Sequence, residues 1–291
     1  MKQPSLKSTL ERGEFVAAPG VHDMITAIVA NKVGFDFIFA SGYWTIASAH
    51  GLPDAGLATY TQMLDRVSTL VRSSNAAVIA DADTGYGGLL NVHHTVQGYE
   101  QAGVQAIQIE DQEFPKKCGH TPTKQVIPLK DMVLKIQVAC EARTSTDTLI
   151  IGRTDAKQPE GYERALERAI AYAEAGADII LFEALETQEE MQAACKAVNK
   201  PMMLNMANGG KTPDMTVDEI KALGFSLAIF PSTAPLAAAY AVETALRTLK
   251  QQGSSTTKDA PHFSFSEFSD LIGFPDIHAF DRKWAERGDK Q

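Results

Sequence analysis

The chain has 291 residues, of which 27 are basic and 36 are acidic, and its formal net charge at pH 7 is −9. Hydrophobic residues make up 44% of the chain, which excludes a disordered protein, and its length allows one large core or two modest ones. The sequence pI of 5.3 argues against a general nucleic-acid binder, because no basic surface would dominate the attraction of phosphates.

Cysteine usage and hydropathy bear on the cellular location. The three cysteines, Cys118, Cys140 and Cys195, cannot form a disulfide framework and suit a reducing compartment. Residues 1–20 lack the long apolar core of a secretory signal, and no apolar run approaches the roughly 20 residues that a membrane span needs. We therefore expect a cytoplasmic protein whose partners are neither membranes nor nucleic acids.

Short apolar runs recur along the chain and alternate with stretches that have helical character. The runs are continuous rather than alternating, which predicts strands that are buried on both faces. They cover residues 15–18, 35–40, 76–80, 104–109, 148–152, 177–182, 201–204 and 225–230. The predicted helices cover residues 22–33, 61–73, 92–102, 129–143, 162–175, 189–198, 217–223 and 235–250. Gly103, Gly176 and Gly224 follow three of these helices, where a left-handed cap favours glycine.

Eight strand–helix units in about 240 residues match the size and rhythm of a (β/α)₈ TIM barrel. A doubly wound open sheet is the alternative, although it usually has fewer units and no GxGxxG follows a strand here. We expect the barrel over residues 1–250, a polar linker over 251–262 and a C-terminal helical tail over 263–291. The tail is rich in aromatic side chains, which need either the chain's own barrel or a neighbouring subunit to bury against.

Polar residues follow seven of the eight predicted strands, at the end where a barrel assembles its active site. Helix caps and solvated turns explain such residues one at a time, but seven together predict a polar site. The residues are Ser41, Gly42 and Tyr43 after the second strand, Asp81 and Asp83 after the third, Glu110 and Asp111 after the fourth, Arg153 and Asp155 after the fifth, Glu183 after the sixth, Asn205 after the seventh, and Pro231 and Ser232 after the eighth.

Asp81 and Asp83 lie two residues apart, so strand geometry points both carboxylates to one side, where they repel unless a cation or proton lies between them. With Glu110 on the next strand, they predict a divalent cation bound by oxygen ligands. Mg²⁺ fits best, with Mn²⁺ as the alternative, and zinc is disfavoured because no histidine or cysteine has suitable spacing. A hydrogen-bonded pair of turn caps is the structural alternative.

The motif Lys116-Lys117-Cys118-Gly119-His120 follows the fourth strand. Basic neighbours lower the pKa of a thiol, so Cys118 is a candidate thiolate or proton donor, and Lys116 and His120 can pair with carboxylates. Residues 112–128 show no strong helix or strand pattern, and loops of that length are often lids. A surface loop with an incidental cysteine is the alternative. Arg153 is a natural bidentate clamp for a substrate carboxylate.

These motifs resemble those of the isocitrate lyase / phosphoenolpyruvate mutase superfamily, over about residues 5–250 and the tail. Lys-Lys-Cys-Gly-His resembles the cysteine loop of its lyase branch, which includes 2-methylisocitrate lyase and 2,3-dimethylmalate lyase. Asp-Ala-Asp-Thr-Gly-Tyr-Gly, at residues 81–87, resembles the metal motif, and Gly-Leu-Pro-Asp, at residues 51–54, resembles the stretch that supplies another carboxylate. The resemblance implies a Mg²⁺-dependent TIM barrel and a homotetramer whose C-terminal helix is exchanged between subunits.

The resemblance also implies roles for individual residues. Asp81 ligates the metal directly, and Asp54, Asp83 and Glu110 do so through water. Cys118, Tyr43, Lys116, His120 and Arg153 are implied as catalytic, and Ser41, Gly42, Tyr43, Gly119, His120, Arg153, Glu183, Asn205 and Pro231 as substrate-binding. Tyr43 or a metal-bound water is the candidate base, and Cys118 is the candidate acid.

With these residues in place, the resemblance implies a lyase that cleaves a carbon–carbon bond of a 2-hydroxy di- or tricarboxylate, of the 2-methylisocitrate or 2,3-dimethylmalate type, and releases a 2-oxoacid such as pyruvate. Hydrolysis of oxaloacetate at the same site is the alternative. Tyr43-Trp44 and residues 206–213 depart from the methylisocitrate lyase pattern, which leaves the substrate open. A phosphonate mutase is disfavoured because those members lack the Cys-Gly-His loop. A barrel that has lost catalysis and only binds partners is a third reading.

Overall fold

The structure is a computed structural model, and it describes residues 3–117, 124–255 and 262–288. Eight parallel strands pair in chain order and close into a barrel, with the last strand paired to the first. This confirms the predicted (β/α)₈ fold and excludes the open sheet. The strands are β1 (Val16–Val21), β2 (Phe37–Ala40), β3 (Ala77–Asp81), β4 (Ala106–Glu110), β5 (Leu149–Thr154), β6 (Ile179–Phe182), β7 (Met202–Asn205) and β8 (Leu227–Phe230).

Helices connect the strands, and the predicted ones are confirmed with shifts of a few residues at their ends. They are α1 (Leu6–Glu11), α2 (Met24–Val33), α3 (Gly42–His50), α4 (Tyr60–Ser73), α5 (Leu89–Gln101), α6 (Leu129–Ala142), α7 (Lys157–Glu160), α8 (Tyr162–Glu174), α9 (Gln188–Ala197), α10 (Val217–Ala222), α11 (Thr233–Gln252), α12 (Phe265–Leu271) and α13 (Phe274–Gly288). The sequence did not predict α1, α3 and α7. The predicted caps Gly103, Gly176 and Gly224 have φ angles of 93°, 113° and 103°.

Side chains inside the barrel form an apolar layer below the candidate site. Residues two apart on a strand point to the same face, so the residue two positions after an inward-facing apolar side chain also points towards the barrel axis, at the carboxyl end of the strand. The innermost residues are Phe39, Ile79, Ile151, Leu181, Met203 and Ile229, and two positions further along the chain stand Ser41, Asp81, Arg153, Glu183, Asn205 and Pro231. The strand register that fills the core therefore also directs these polar residues to the barrel mouth.

The chain divides into two compact units, residues 1–235 and 236–291. The second unit contains most of α11 with α12 and α13. Several of its aromatic side chains are exposed to solvent in the single chain, including Phe265, Phe280 and Trp284. The predicted division at residue 250 and the exchange of the tail between subunits both stay predictions. Among the described residues, no helix combines the length and apolarity needed to cross a bilayer.

Candidate active site

Asp81, at the end of β3, is held by backbone amides rather than left free. The amide of Asp83 donates to its Oδ1 at 3.0 Å, and the amide of Gly42, the first residue of α3, donates to its Oδ2 at 3.3 Å. A Cβ on Gly42 would lie 2.8 Å from Oδ2, so a larger residue at this position would force the Asp81 carboxylate to move. Ser41 is buried at the N-cap, and its hydroxyl does not cap the helix. Gly42, one of the predicted carboxylate-binding residues, thus lies directly against the predicted metal ligand.

The segment after β3 has an unusual backbone. Asp83 and Tyr86 adopt positive φ angles of 50° and 58°, which side-chain-bearing residues seldom do outside constrained sites. Two contacts fix the segment from neighbouring elements: the amide of Glu110 donates to the Asp83 carbonyl at 2.9 Å, and Lys135 Nζ donates to the Thr84 carbonyl at 2.8 Å. The β4 and α6 elements therefore determine where the Asp83 carboxylate is presented.

Lys116 places its ammonium among these carboxylates. Its Nζ lies 2.5 Å from Asp54 Oδ1 and 2.7 Å from Asp83 Oδ1, and its side chain is only 3% exposed. Burial lowers the pKa of Lys116, but the charges of Asp83, Glu110 and Asp54 outweigh it and raise that pKa well above its usual value. Burial raises the pKa of Asp83 to about 6, although Lys116 opposes the increase.

Arg153, near the end of β5, is surrounded by carboxylates. Its Nε and Nη2 donate to the two oxygens of Asp155 at 2.8 and 3.1 Å. Glu110 Oε2 lies 3.3 Å from Nε, and Glu183 Oε2 lies 3.6 Å from Nη2. Although burial lowers the pKa of Arg153, these carboxylates raise it well above its ordinary range. The bidentate grip of Asp155 leaves Arg153 charged and fixed in position.

Lys124 and Asp111 complete the support of Arg153; the sequence placed Asp111 among the strand-end polar residues but did not single out Lys124. Lys124 Nζ donates to Asp155 Oδ1 at 2.9 Å, with both side chains buried. The Asp155 amide donates to Asp111 Oδ1 at 2.8 Å, and Tyr172 donates its hydroxyl to Asp111 Oδ2 at 2.7 Å. Burial raises the pKa of Asp155, but Arg153 and Lys124 outweigh burial and hold it well below its usual value. The two-residue spacing from Arg153 was a signal for Asp155, but no comparable signal marked Lys124.

The remaining strand-end residues close the other side of the mouth. Asn205 donates its amide to both oxygens of Glu183, at 3.2 Å each. Pro231, the residue after β8, packs against Gly20 of β1, and a Cβ on Gly20 would lie 2.4 Å from the Pro231 Cα. Glycine is therefore needed at position 20 for the two strands to meet beside the site.

Not every predicted site residue is brought into this cluster. Tyr43 is 40% exposed, and its ring packs edge-on against Trp44 with centroids 4.8 Å apart. Cys118, Gly119 and His120 lie outside the described residues. The two ends of their segment are nevertheless tied together, because Gln112 and Val126 form an antiparallel bridge and the Glu113 amide donates to the Gln125 carbonyl at 2.9 Å.

The acidic residues suit a divalent cation in their chemistry. Asp54 Oδ1, Asp83 Oδ1 and Glu110 Oε1 are buried oxygens without a hydrogen bond of normal geometry, and such hard oxygens are the ligands that Mg²⁺ and Mn²⁺ prefer. As the described side chains stand, no three of them from aspartate, glutamate, histidine or cysteine converge closely enough to enclose an ion. Lys116 lies between Asp54 and Asp83 instead.

Comparisons with known proteins agree on a family. Residues 6–250 match the family model for phosphoenolpyruvate phosphomutase. The chain is 40% identical to 2,3-dimethylmalate lyase of Eubacterium barkeri, over 96% of this chain and 97% of the relative, and 41% identical to 2-methylisocitrate lyase of Aeropyrum pernix, over 98% and 92%. A solved structure of oxaloacetate acetylhydrolase with the inhibitor 3,3-difluorooxalacetate superposes with a TM-score of 0.92 at 33% identity, covering 98% of this chain and 97% of that one.

Proposed function

The chain belongs to the phosphoenolpyruvate mutase/isocitrate lyase superfamily as a carbon–carbon lyase, and we propose that it cleaves a 2-hydroxy di- or tricarboxylate of the 2,3-dimethylmalate or 2-methylisocitrate type. The products are a 2-oxoacid such as pyruvate and a smaller carboxylate. One observation carries the proposal: a fixed, buried arginine lies at the barrel mouth beside a group of buried carboxylates, joined to them through Glu110. Such a mouth offers an anion clamp next to a cation site.

The substrate carboxylates are bound by this chain's donors. Arg153 is held by Asp155 in a position where it can attract a carboxylate without reorganising. The first turn of α3 supplies the positive end of a helix at the same mouth, where the Gly42 amide itself is already bonded to Asp81. Asn205, oriented by Glu183, adds a polar side chain on the opposite side. These groups, with Pro231 packed beside them, hold the substrate above the apolar layer of the barrel.

The cation site is proposed at Asp81, with Asp54, Asp83 and Glu110 around it. A Mg²⁺ ion held by these residues would act as a Lewis acid and stabilise negative charge on the substrate oxygen that becomes the carbonyl. Asp81 suits the direct ligand position because two backbone amides already fix its orientation. Mn²⁺ is the alternative ion, because it accepts the same oxygen ligands.

The bond cleavage needs a base and an acid. A base, for which Tyr43 is the candidate, removes the 2-hydroxyl proton, the carbon–oxygen bond becomes a carbonyl, and the C2–C3 bond breaks. The electron pair passes to C3 and into its carboxylate, where Arg153, Asn205 and His120 stabilise the charge. Cys118 then donates its proton to C3 and completes the smaller product. Lys116 and His120, each two residues from Cys118 in the sequence, are the candidate basic groups that lower the pKa of its thiol.

The test is cleavage by the wild-type enzyme and by Cys118→Ser. A panel of alkylmalates and 2-methylisocitrate is assayed with Mg²⁺ by coupling 2-oxoacid release to lactate dehydrogenase. We expect turnover of at least one member of the panel and a loss of about 10³-fold or more in the variant, with Mg²⁺ binding retained. Cys140→Ser is the matched control, because that cysteine packs in α6 and donates to the Gly176 carbonyl. Near-normal turnover by Cys118→Ser would contradict the acid role.

Hydrolysis of oxaloacetate to oxalate and acetate is the second candidate. It is favoured by the close superposition on oxaloacetate acetylhydrolase, with a TM-score of 0.92. The same residues would bind its substrate, since oxaloacetate is also a short dicarboxylate with an oxygen at C2. Measuring oxalate release from oxaloacetate beside pyruvate release from the alkylmalate panel separates the two activities, and the substrate with the larger kcat/KM decides between them.

We further propose a homotetramer in which the C-terminal tail exchanges between subunits. The exposed aromatic side chains of the tail, including Phe265, Phe280 and Trp284, support this proposal because large apolar surfaces are normally covered. Light scattering of the full chain tests it. A mass four times that of the chain is expected, and a monomer at micromolar concentration would contradict it.

A further inference from the structure

The Lys116 ammonium lies inside the proposed cation site. Its side chain is 3% exposed, and Nζ contacts Asp54 Oδ1 at 2.5 Å and Asp83 Oδ1 at 2.7 Å. A lysine on a connecting segment normally keeps its charge in water, because burial of an ammonium is costly unless carboxylates compensate it. Lys116 is therefore held in place by the negative charge of the cluster.

The two contacts resemble ion contacts more than directed hydrogen bonds. Asp54 Oδ1 and Asp83 Oδ1 both lack a hydrogen bond of normal geometry, as does Glu110 Oε1. An ammonium is a compact point charge, so it can be attracted by several oxygens without satisfying any of them well. The oxygens that contact Lys116 keep acceptor capacity for a better ligand.

The negative charge of the site also favours replacement of the Lys116 ammonium by a divalent cation. Four buried carboxylates, those of Asp54, Asp81, Asp83 and Glu110, act on the Lys116 ammonium, and Glu110 also attracts Arg153 and Lys135. A divalent cation compensates this excess more completely than one positive charge does. A hydrated Mg²⁺ or Mn²⁺ ion held by Asp81 would need Asp54 and Asp83 to accept hydrogen bonds from its waters, and the Oδ1 atoms of both residues are in contact with the Lys116 ammonium instead.

We propose that Lys116 and a divalent cation compete for the same carboxylates, so that the cation must displace the Lys116 ammonium in order to bind. The inference rests on the cation site of the proposed function and adds a second, intramolecular occupant to it. Lys116 then has two positions in the reaction cycle, one among the carboxylates and one released from them. It stabilises the acidic residues when no ion is bound and weakens the apparent affinity for the ion.

The test is a substrate-free titration of Mn²⁺ at neutral pH, followed by electron paramagnetic resonance of the free ion. We expect Lys116→Met to bind Mn²⁺ at least ~10-fold more tightly than the wild type, because the competing charge is gone. The matched control is Lys117→Met, the adjacent exposed lysine, whose affinity should equal that of the wild type. An unchanged or weaker affinity in Lys116→Met overturns the competition.

Thermal unfolding gives a second readout. Without metal, Lys116→Met should unfold at a lower temperature than the wild type, because the buried carboxylates lose their ammonium. Saturating Mn²⁺ should then raise its unfolding temperature by more than it raises that of the wild type. Equal increases in both proteins overturn the proposal. If Lys116→Met does not fold, a crystal structure of the wild type with Mn²⁺ decides: Lys116 Nζ remaining on Asp54 and Asp83 beside the ion overturns the proposal.

Failure of the competition can be told apart from failure of the cation site. If Asp81→Asn binds Mn²⁺ as tightly as the wild type does, the proposed cation site is wrong, and the proposed competition is wrong with it. Asp81-dependent binding in the wild type with no gain in Lys116→Met leaves the site and the lyase proposal intact and removes only the competition.

Discussion

Two charged clusters share the mouth of the barrel, and they differ in net charge: one has more carboxylates than cationic side chains, and the other has equal numbers of each. The acidic cluster, at β3 and the segments after β2 and β4, consists of Asp54, Asp81, Asp83 and Lys116. The arginine cluster, at β5, β6 and the segment before α6, consists of Arg153, Asp155, Glu183 and Lys124. Glu110 lies next to both, 3.3 Å from the Arg153 guanidinium.

The pKa shifts show the difference between the clusters. Asp83 and Asp155 are both buried, yet burial raises the pKa of Asp83 to about 6, whereas Arg153 and Lys124 outweigh burial and hold that of Asp155 well below its usual value. The acidic cluster has too little positive charge of its own and suits a cation. The arginine cluster is balanced and rigid, which suits the binding of a substrate carboxylate.

The largest expected effect comes from breaking the acidic cluster with Asp81→Asn. The amide keeps the size of the side chain but removes the charge and one of the oxygens that accept backbone hydrogen bonds. We expect turnover to fall by about 10³-fold or more and Mg²⁺ affinity to fall with it. Steady-state kinetics and calorimetric titration measure both. Asp65→Asn, on the exposed side of α4, is the control, and lost turnover with unchanged Mg²⁺ affinity would contradict the assignment.

A substitution in the arginine cluster should weaken the use of substrate without weakening the binding of the cation. Lysine at position 153 cannot reproduce the bidentate contact of the guanidinium with Asp155. Arg153→Lys is therefore expected to lower kcat/KM by about 10²-fold and to leave the dissociation constant of Mg²⁺ within about threefold. Arg164→Lys, on the exposed face of α8, controls for the substitution itself. An equal loss of substrate and cation binding would mean that the clusters act as one.

Stability in the absence of metal should depend on pH in opposite ways in the two clusters. Because the pKa of Asp83 is about 6 in the folded chain and its ordinary value is 3.8, its contribution to the free energy of unfolding decreases by about 3 kcal/mol as pH rises from about 4 to about 6. Asp83→Asn lacks this titration, so its stability relative to the wild type should increase over that range and then level off. The contribution of Asp155, whose pKa is lowered, is instead lost at acid pH.

Urea unfolding in a chelator, at several pH values, measures these differences. Asp155→Asn serves as the comparison, because its deficit relative to the wild type should stay constant above about pH 5. Parallel stability curves for the wild type and Asp83→Asn would show that the Asp83 carboxyl titrates normally in the folded chain, and would remove the contrast between the clusters.

The smallest expected effect concerns Lys124. Removing its ammonium leaves Asp155 with Arg153 alone, so Lys124→Met should destabilise the chain by about 2 kcal/mol and lower kcat/KM by about 10-fold. Lys124→Arg should recover most of the activity, which a purely structural packing role would not predict. Lys130→Met, exposed at the start of α6, is the control. Full activity in Lys124→Met would show that Asp155 needs only Arg153.

Strand alternation explains why the sequence predicted so much of this mouth. Apolar inward positions such as Ile79 and Ile151 fix the register of their strands, and the same register predicts the direction of Asp81 and Arg153 two residues later. Partners across the site were not predictable, because the contacts of Lys116 with Asp54 and of Lys124 with Asp155 depend on how long connecting segments fold. Helix α3 was missed because it begins at Gly42 and continues with aromatic and β-branched residues, which have low helix propensity.

Cleavage of a carbon–carbon bond is the reaction we propose for this mouth. Proton nuclear magnetic resonance of the wild-type enzyme with Mg²⁺ and either 2,3-dimethylmalate or 2-methylisocitrate tests it most directly, because both products are observed at once. We expect a 2-oxoacid and a smaller carboxylate in equal amounts, with one solvent-derived hydrogen on the smaller product. An unchanged spectrum with every 2-hydroxy diacid and triacid, alongside oxalate and acetate formed from oxaloacetate, would contradict it.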